Sequence, residues 1–487
     1  MFLQILERNK DKIFGILCAL ILTVGIFLRC WIFAQDYSLY ADEIGLHNNI
    51  KNLSFSDISL NLQDVQVAPL LFMLISKVFY FLSGMQFGGM RILPLICSIV
   101  SVPAFYFLSK KFLNSKISVL FANVLFSLNF SLIFYSQSIK HYSAEVLVTI
   151  LALLVFASVN FEELNWKKAL IFGGMASFAL CFSFGFAQIL CAFCICFLLF
   201  QETDYYKKIQ FCLISAIPFL ALILLHIAVF KSIYLEQVTA FKMLNYFNPY
   251  SYSWFMNYFF FDFHNKFLPI ILTVSFVTGG ALFLKENFKK FFMLVLPVVI
   301  AFLLGKFYIY PFFGRLTLFL FPIFFILLAK ILDCFELKNV FLKIFVSVLT
   351  ICILIQGKIF LIQAKLPYVI GTAREFHQAL FENGIKKGDK LFINDQTFDA
   401  FVLYPFDDFD VEEIINKQNM LIFCHDAINP FNVMPFPKGS TIHMFAAHYL
   451  WVDDTYFNSM NKWIGESCQI LAKQEFKTGT YYKCINK

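Results

Sequence analysis

The chain has 487 residues, of which 60% are hydrophobic and only 15% are charged. A soluble domain usually has about 45–50% apolar and about 25% charged residues, so this composition excludes an ordinary soluble protein. The net charge of +7 is small for the length, and no basic stretch is interleaved with aromatic residues. We therefore expect no nucleic-acid partner, and the lipid bilayer is the first partner that the sequence predicts.

Apolar runs long enough to cross a bilayer, which takes about 20 residues, recur up to residue 360. The first run follows a basic N-terminus and lacks a small-residue cleavage site, which predicts a retained signal anchor. We predict eleven spans, at residues 13–33, 91–109, 117–134, 142–160, 168–184, 186–200, 209–230, 267–284, 291–307, 315–330 and 339–360.

The basic residues of the short loops set the orientation, because cytoplasmic loops are enriched in Lys and Arg. With the N-terminus inside, nearly every dibasic pair falls in a cytoplasmic loop: Lys110–Lys111, Lys167–Lys168, Lys207–Lys208 and Lys289–Lys290. The span count depends on residues 67–83, which contain Ser76 and Lys77. We interpret this segment as an interfacial helix within an outer loop, residues 34–90. An odd number of spans then places the C-terminal tail outside.

From residue 361 charged residues return and the apolar runs shorten. This change predicts a membrane domain over residues 1–360 and a separate periplasmic domain over residues 361–487. The segment REFHQALFENG predicts a helix that stops at Asn383–Gly384, and DDTYFNSMNKWIGE predicts a second helix. Four runs of strand length complete a small α/β domain: KLFIND, NMLIFCHD, STIHMFAAHY and TYYKCIN. The predicted fold class is a polytopic α-helical membrane protein of about 11 spans with this tail.

Thirteen cysteines give little evidence of a metal site. Cys191, Cys194 and Cys196 have a metal-like spacing, but they share one apolar run without a nearby His or carboxylate. We interpret them as small packing residues. If the tail is extracytoplasmic, its cysteines allow one disulfide and leave one thiol, and the sequence does not choose among them: Cys424, Cys468 and Cys484.

Ionisable residues near a bilayer are costly and tend to mark function, and four groups of them fall on the predicted outer side. The first follows the first span and contains Asp36 and the adjacent pair Asp42–Glu43. Such a pair suits a general base acting on an acceptor hydroxyl, or a ligand of a divalent metal ion. A solvated acidic loop is the competing interpretation.

The other three groups are mainly cationic. Arg91 opens the second span, where it could bind substrate or act as a snorkelling anchor. The short loop 134–145 is unusually polar, with cations that could neutralise a phosphate: Gln137, Lys140, His141 and Tyr142. The segment 306–319 contains Lys306 and Arg315, where Arg suits fork-like phosphate recognition and an interfacial anchor is the competing interpretation. Together with the acidic pair, these cations predict a site for a phosphate-linked lipid substrate.

The order of motifs along the first 160 residues resembles a known family. A first span is followed by Asp42–Glu43, an Ala-Pro-Leu at 68–70, an Arg-x-x-Pro beginning at Arg91, and a Tyr-Ser-Gln-x-x-Lys-x-Tyr at 135–142. This order resembles the membrane glycosyltransferases of the GT-C superfamily. The nearest branch is the bacterial group that includes lipid A aminoarabinose transferases, with protein O-mannosyltransferases more distant.

The resemblance implies a GT-C-like fold and a sugar donor carried on a polyprenyl phosphate, used at the periplasmic face of a bacterial inner membrane. It implies an inverting displacement with Asp42 as the base, while Glu43 assists or helps to bind a divalent cation. It also makes Arg91, Lys140 and Arg315 candidates for the donor phosphate. The acceptor would be a hydroxyl of an envelope lipid, glycan or protein.

The chain departs from this family in two places. Many relatives have His-Pro-Pro where this chain has Val67-Ala68-Pro69, and an acidic residue and Arg where it has Ser138 and Lys140. We therefore assume neither aminoarabinose nor lipid A. A transporter or flippase of a lipid-linked or small anionic substrate is the alternative function, although no internal repeat is visible. An assembly role, with the tail recruiting a partner, is a third hypothesis.

Overall fold

A computed structural model gives the structure of the chain. It describes residues 10–36, 39, 41–60, 62, 66–158, 165–243, 247, 267–336, 373–386, 389–394, 420–423, 437–447, 462, 464–476 and 479–487. The chain divides into two compact units, Met1–Gln35 with His47–Ile362 and Asp36–Leu46 with Gln363–Lys487. The predicted boundary at residue 361 lies outside the described residues and stays a prediction.

Helices make up nearly all of the described chain before residue 337. Those up to residue 158 are α1 (Lys10–Ala34), α2 (Ala41–Asn52), α3 (Phe55–Leu60), α4 (Leu70–Leu82), α5 (Phe87–Met90), α6 (Ile92–Phe112), α7 (Lys116–Ser127), α8 (Phe130–Phe134) and α9 (Tyr142–Ser158). Those that follow are α10 (Trp166–Leu180), α11 (Phe186–Phe200), α12 (Tyr205–Met243), α13 (Leu268–Glu286), α14 (Phe288–Lys306) and α15 (Phe321–Lys330). Three 3₁₀ turns extend them at Tyr135–Gln137, Gly314–Leu320 and Ile331–Glu336.

Many of these helices are apolar enough to lie in a bilayer. Within the described residues, five helices meet both the length and the hydropathy needed to cross one: Asp11–Ala34, Gly88–Phe112, Pro269–Glu286, Phe288–Lys306 and Gly314–Cys334. A sixth span forms if α7 and the segment Phe130–Gln137, which bend by 48° at their junction, count as one. The prediction of a polytopic helical membrane protein is therefore confirmed.

The predicted spans can be compared with these helices one by one. Each of the first ten predicted spans overlaps a helix, whereas residues 159–160 of the fourth span and the whole eleventh span, at 339–360, lie outside the described residues. The count of eleven thus stays a prediction. Helix α4 has only 13 residues, fewer than the about 20 that a crossing needs, which agrees with an interfacial helix.

A fully buried arginine, Arg29 of α1, lies at the bend between α7 and α8. Its Nη1 donates to the carbonyl oxygens of Gly25 at 2.8 Å and Ser127 at 2.9 Å, and its Nη2 donates to that of Phe126 at 3.4 Å. Its Nε donates to Ser98 Oγ of α6 at 2.8 Å. The carbonyls at the end of α7 lack helical donors, so Arg29 satisfies them and joins three helices.

Close packing accompanies this contact. A Cβ atom added at Gly25 would lie 2.7 Å from Ser127 Cβ, so only glycine lets α1 approach the end of α7 this closely. Small residues allow such close backbone approach between membrane helices.

A second polar cluster lies at the N-terminus of α7, where the ends of α13 and α15 meet it. Lys330 of α15, only 1% exposed, donates to Asp333 Oδ2 at 2.7 Å and forms an ion pair with Glu286 of α13. Asp333 accepts from the backbone N–H of Ser115 at 3.0 Å, at the N-terminus of α7. A carboxylate is favourable there because it complements the helix dipole.

The tail unit contains a helix and one mixed sheet. Helix α16 (Ala373–Glu382) is followed by β1 (Lys390–Asn394), β2 (Met420–Phe423), β3 (Thr441–Ala447), β4 (Cys468–Phe476) and β5 (Gly479–Asn486). The strand order is β2-β1-β3-β5-β4, with β1 parallel to both neighbours and β5 antiparallel to both of its own. A small α/β fold is therefore confirmed, although β4 was not predicted.

A buried histidine links three parts of this sheet. His443 of β3 is fully buried, with Nε2 3.0 Å from Asp389 Oδ2 and Nδ1 2.7 Å from the hydroxyl of Tyr481 on β5. Burial lowers the pKa of His443, although Asp389 opposes that shift. The neutral imidazole can donate to Asp389 and accept from Tyr481, so both ring nitrogens are satisfied.

Replacing Arg29 with Met should lower the melting temperature of the detergent-solubilised protein. The carbonyls of Phe126 and Ser127 would lose their donor, and each buried polar group left unsatisfied costs about 1–3 kcal/mol. Cys30→Met, at the next and exposed position of α1, is the matched control. Equal melting temperatures for the two variants would contradict a structural role for the guanidinium.

Candidate functional site

The predicted outer loop 134–145 is a buried turn. Asn129 Oδ1 accepts from the N–H of Leu132 and caps α8, after which the 3₁₀ turn Tyr135–Gln137 leads to α9. Ser143 Oγ donates to the carbonyl of Tyr135 at 2.9 Å and ties the two ends of the turn together. The four candidate residues of this loop are all buried: Gln137, Lys140, His141 and Tyr142.

Lys140 connects this turn to the segment before α4. Its Nζ donates to Gln66 Oε1 at 3.1 Å, and Gln66 directly precedes Val67-Ala68-Pro69. Two motifs that are 74 positions apart in the sequence are therefore in contact. The amide of Gln66 is neutral, so this bond orients the ammonium group without cancelling its charge.

His141 is enclosed by aromatic rings. Its ring centroid lies 6.0 Å from that of Phe72 on α4 and 5.8 Å from that of Phe184, both in edge-on geometry. Burial and the neighbouring Lys140 lower the pKa of His141 to about 3. The imidazole is therefore neutral at physiological pH, and Lys140 is the cation of this turn.

Glu145 is a buried acidic residue that we did not predict as part of the site. It is fully buried one helical turn after His141, and its Oε1 accepts from the N–H of Gly185 at 3.1 Å. Gly185 belongs to the turn at residues 181–185. In the same turn, the carbonyl of Cys181 accepts a hydrogen bond from the backbone N–H of Leu71 at 2.9 Å. Glu145 thus holds the start of α9 to the turn that positions α4 and α11.

The segment 306–319 reaches the same region through Tyr310. Burial raises the pKa of Tyr310 well above its usual value, and the charge of Glu145 adds to that rise, so the phenol stays protonated. Its hydroxyl donates to the carbonyl of Leu316 at 3.2 Å. Lys306 is exposed and Arg315 is partly exposed, so neither is buried in the cluster as Lys140 is.

Arg91 is buried between α5 and α6, with only 2% of its surface exposed. A snorkelling anchor would keep its guanidinium in water, so this burial argues against the anchor interpretation. Helix α6, which begins directly after Arg91, packs along α9 and the Tyr135–Gln137 turn. Arg91 therefore begins an element that contacts the buried turn.

A small, partly open cavity lies beside the turn. Its volume of about 10 Å³ corresponds to roughly one water molecule. Ser98, which accepts from Arg29, lines it together with Ser101, Tyr135, Tyr142 and Ser143. The cavity therefore connects the arginine contact at the helix bend with the polar turn.

The acidic residues of the first candidate group belong to the second unit. Asp36 is exposed, with a φ of 45° in the left-handed region. Asp42 lies in the first turn of α2, and its side chain is outside the description; Glu43 beside it is 1% exposed. Their approach to Arg91 and Lys140 stays a prediction. The described residues contain no group of three or more potential metal ligands.

Comparisons with known proteins found similarity only among solved structures. No family model and no curated protein matches the chain. The chain is similar to ArnT from Cupriavidus metallidurans in the apo state, with 9% identity and a TM-score of 0.44 over 98% of both chains. For the same protein bound to undecaprenyl phosphate the values are 10% and 0.42, again over 98% of both chains.

The chain is also similar to an oligosaccharyltransferase from Archaeoglobus fulgidus in complex with Zn and sulfate. The identity is 11% and the TM-score 0.44, over 86% of this chain and 59% of that chain. These identities and scores are low, so we base the functional proposal on the geometry of the site.

Gly185→Ala should reduce function by displacing the turn that Glu145 holds. A Cβ atom at Gly185 would lie 2.6 Å from the ring of Phe319, which is enclosed and cannot swing away easily. Gly174→Ala is the control, because a Cβ there meets nothing within 4 Å. Complementation of a deletion strain measures the effect, and equal complementation by both variants would contradict a fixed turn.

Proposed function

We propose that this protein is a glycosyltransferase that moves a sugar from a polyprenyl-phosphate donor to an acceptor hydroxyl on the periplasmic face. The observation that carries the proposal is the buried turn with Lys140 as its cation, held by Gln66 and enclosed by α4, α9 and the 181–185 turn. A cation kept out of bulk water interacts more strongly with a phosphate than an exposed one does.

The roles within this proposal follow from charge. Lys140 and Arg91 are buried cations that suit the negative phosphate of a lipid-linked donor, and Arg315, which is partly exposed, could contact it from the segment 306–319. The neutral His141 and the amide of Gln137 offer hydrogen bonds without charge, which suits sugar hydroxyls.

In the proposed reaction, Asp42 takes the proton from the acceptor hydroxyl as its oxygen attacks the anomeric carbon. The bond to the phosphate oxygen breaks in the same step, so the configuration inverts and polyprenyl phosphate leaves. Glu43 assists Asp42. Both residues are also oxygen donors of the kind that Mg²⁺ prefers, so a divalent cation at this pair is part of the proposal.

The proposed location is a bacterial inner membrane, with the N-terminus in the cytoplasm and the tail in the periplasm. The basic loops support this orientation, because the successive pairs Lys110–Lys111, Lys167–Lys168 and Lys207–Lys208 are separated from one another by two predicted spans each, so all three pairs would lie on the same side. Lys140 then belongs to the opposite side, where the donor would be used.

A transporter is the second candidate, because Glu145 is a buried ionisable group at the start of an apolar helix. Transport would need such groups to change partners during the cycle. Glu145 instead binds the backbone of a turn, and Arg29 binds backbone carbonyls of α1 and α7. These contacts favour a rigid scaffold over a moving carrier.

Asp42→Asn should reduce sugar transfer by about 10²–10⁴-fold, the usual contribution of a general base, while leaving expression unchanged. The measurement compares lipid-linked sugars and envelope glycans extracted from deletion strains that carry each variant. We expect accumulation of a polyprenyl-phosphate sugar together with loss of one glycan residue. Asp57→Asn, at an exposed carboxylate that accepts from Ser54, is the matched control.

Full transfer by Asp42→Asn would remove Asp42 as the base. Accumulation of the lipid-linked sugar in the cytoplasmic leaflet instead of the periplasmic leaflet would favour a flippase, because flipping precedes transfer.

A further inference from the structure

Two cysteines of the tail are in contact. Cys468 begins β4 and pairs with Asn486 of β5, and Cys484 lies two positions before Asn486 on the same strand. The thiols of Cys468 and Cys484 hydrogen-bond to each other. Both residues are buried, so the contact between the two sulfur atoms is shielded from solvent.

A disulfide at these positions needs a short movement of one strand. Cys484 pairs directly with Ile470, so the two cysteines are diagonal neighbours. Diagonal Cβ atoms lie farther apart than the roughly 3.8 Å typical of a disulfide. Cys468 is the first residue of an edge strand whose register already shifts between Ile470 and Ala472. The start of β4 can therefore move with few other hydrogen bonds broken.

The same contact activates one of the thiols. The hydrogen bond with Cys484 lowers the pKa of Cys468, and Lys487 adds to this effect, while burial opposes it. A thiolate is the nucleophile in thiol–disulfide exchange, so Cys468 is the thiol that reacts first.

We propose that Cys468 and Cys484 form a disulfide in the mature protein, which rests on the proposed periplasmic position of the tail. The oxidant is a protein disulfide of the thiol-oxidase class, which reaches Cys468 when the start of β4 moves away from the sheet. The Cys468 thiolate attacks it, forms a mixed disulfide and releases one partner thiol. The Cys484 thiolate then attacks Cys468 Sγ, which closes the bond and releases the partner as a dithiol. Two electrons and two protons pass to the partner.

The bond would fix β4 to β5 at the edge of the sheet. Closing a loop of this length restricts the unfolded chain, which stabilises the folded tail.

A second thiol pair provides an internal control. Cys194 of α11 and Cys212 of α12 also hydrogen-bond through their thiols. Both lie within predicted spans, where a water-soluble oxidant does not reach. The two pairs therefore share the same kind of contact and differ in the compartment we assign to them.

The test traps free thiols of the full-length protein with a maleimide during non-reducing lysis, and peptide mass spectrometry follows. We expect a linked peptide that joins Cys468 to Cys484, and maleimide on Cys194 and Cys212. In Cys468→Ser, Cys484 should become labelled. Maleimide on both Cys468 and Cys484 of the wild-type protein, without added reductant, would overturn the proposal.

Digestion of the tail by a protease added outside spheroplasts reports its position separately. A digested tail with two free thiols would refute the disulfide and leave the proposed periplasmic site intact. A protected tail with two free thiols would refute the periplasmic position, and the disulfide with it.

Discussion

The membrane unit depends on a charge held inside it. Arg29 is fully buried and donates to the carbonyls of Gly25, Phe126 and Ser127 and to the hydroxyl of Ser98. Without a partner, such a charge would be too costly to keep between apolar helices. The break after α7 supplies carbonyls that need a donor, so the arginine and the bend stabilise each other. The bend in turn sets where α8 and the turn with Lys140 begin.

The polar turn follows from this arrangement. Lys140 reaches Gln66, the ring of His141 packs against Phe72 and Phe184, and Glu145 holds the N–H of Gly185. Segments that are distant in the sequence therefore meet at one buried cluster. Lys140 is the only cation that takes part in these four contacts. A buried cation beside neutral hydrogen-bonding groups is suited to a phosphate attached to a sugar, which connects the packing of the helices to the proposed transfer.

The sequence was most informative where one physical rule dominated. Apolar length predicted helices at the first ten spans, and alternating short runs predicted four of the five tail strands. The strand CQILAKQEF was missed because it is an exposed edge strand with mostly polar or exposed residues. Glu145 was missed because its structural role depends on a hydrogen bond with Gly185, which is 40 positions away. Its position four residues after His141, about one helical turn along, was the available signal. The burial of Arg91 and Lys140 could not be predicted from loop position, because helix packing determines it.

The central claim is that the buried turn binds the phosphate of a lipid-linked donor through Lys140. Titration of the purified protein in nanodiscs with undecaprenyl phosphate tests it most directly. Lys140→Met should weaken binding roughly 10-fold or more, which corresponds to the loss of one hydrogen bond to a charged group. Lys111→Met is the control, because Lys111 is exposed at the C-terminal end of α6, and this variant should leave the affinity unchanged. Equal affinity of the wild-type protein and Lys140→Met, with both variants folded, would contradict the account.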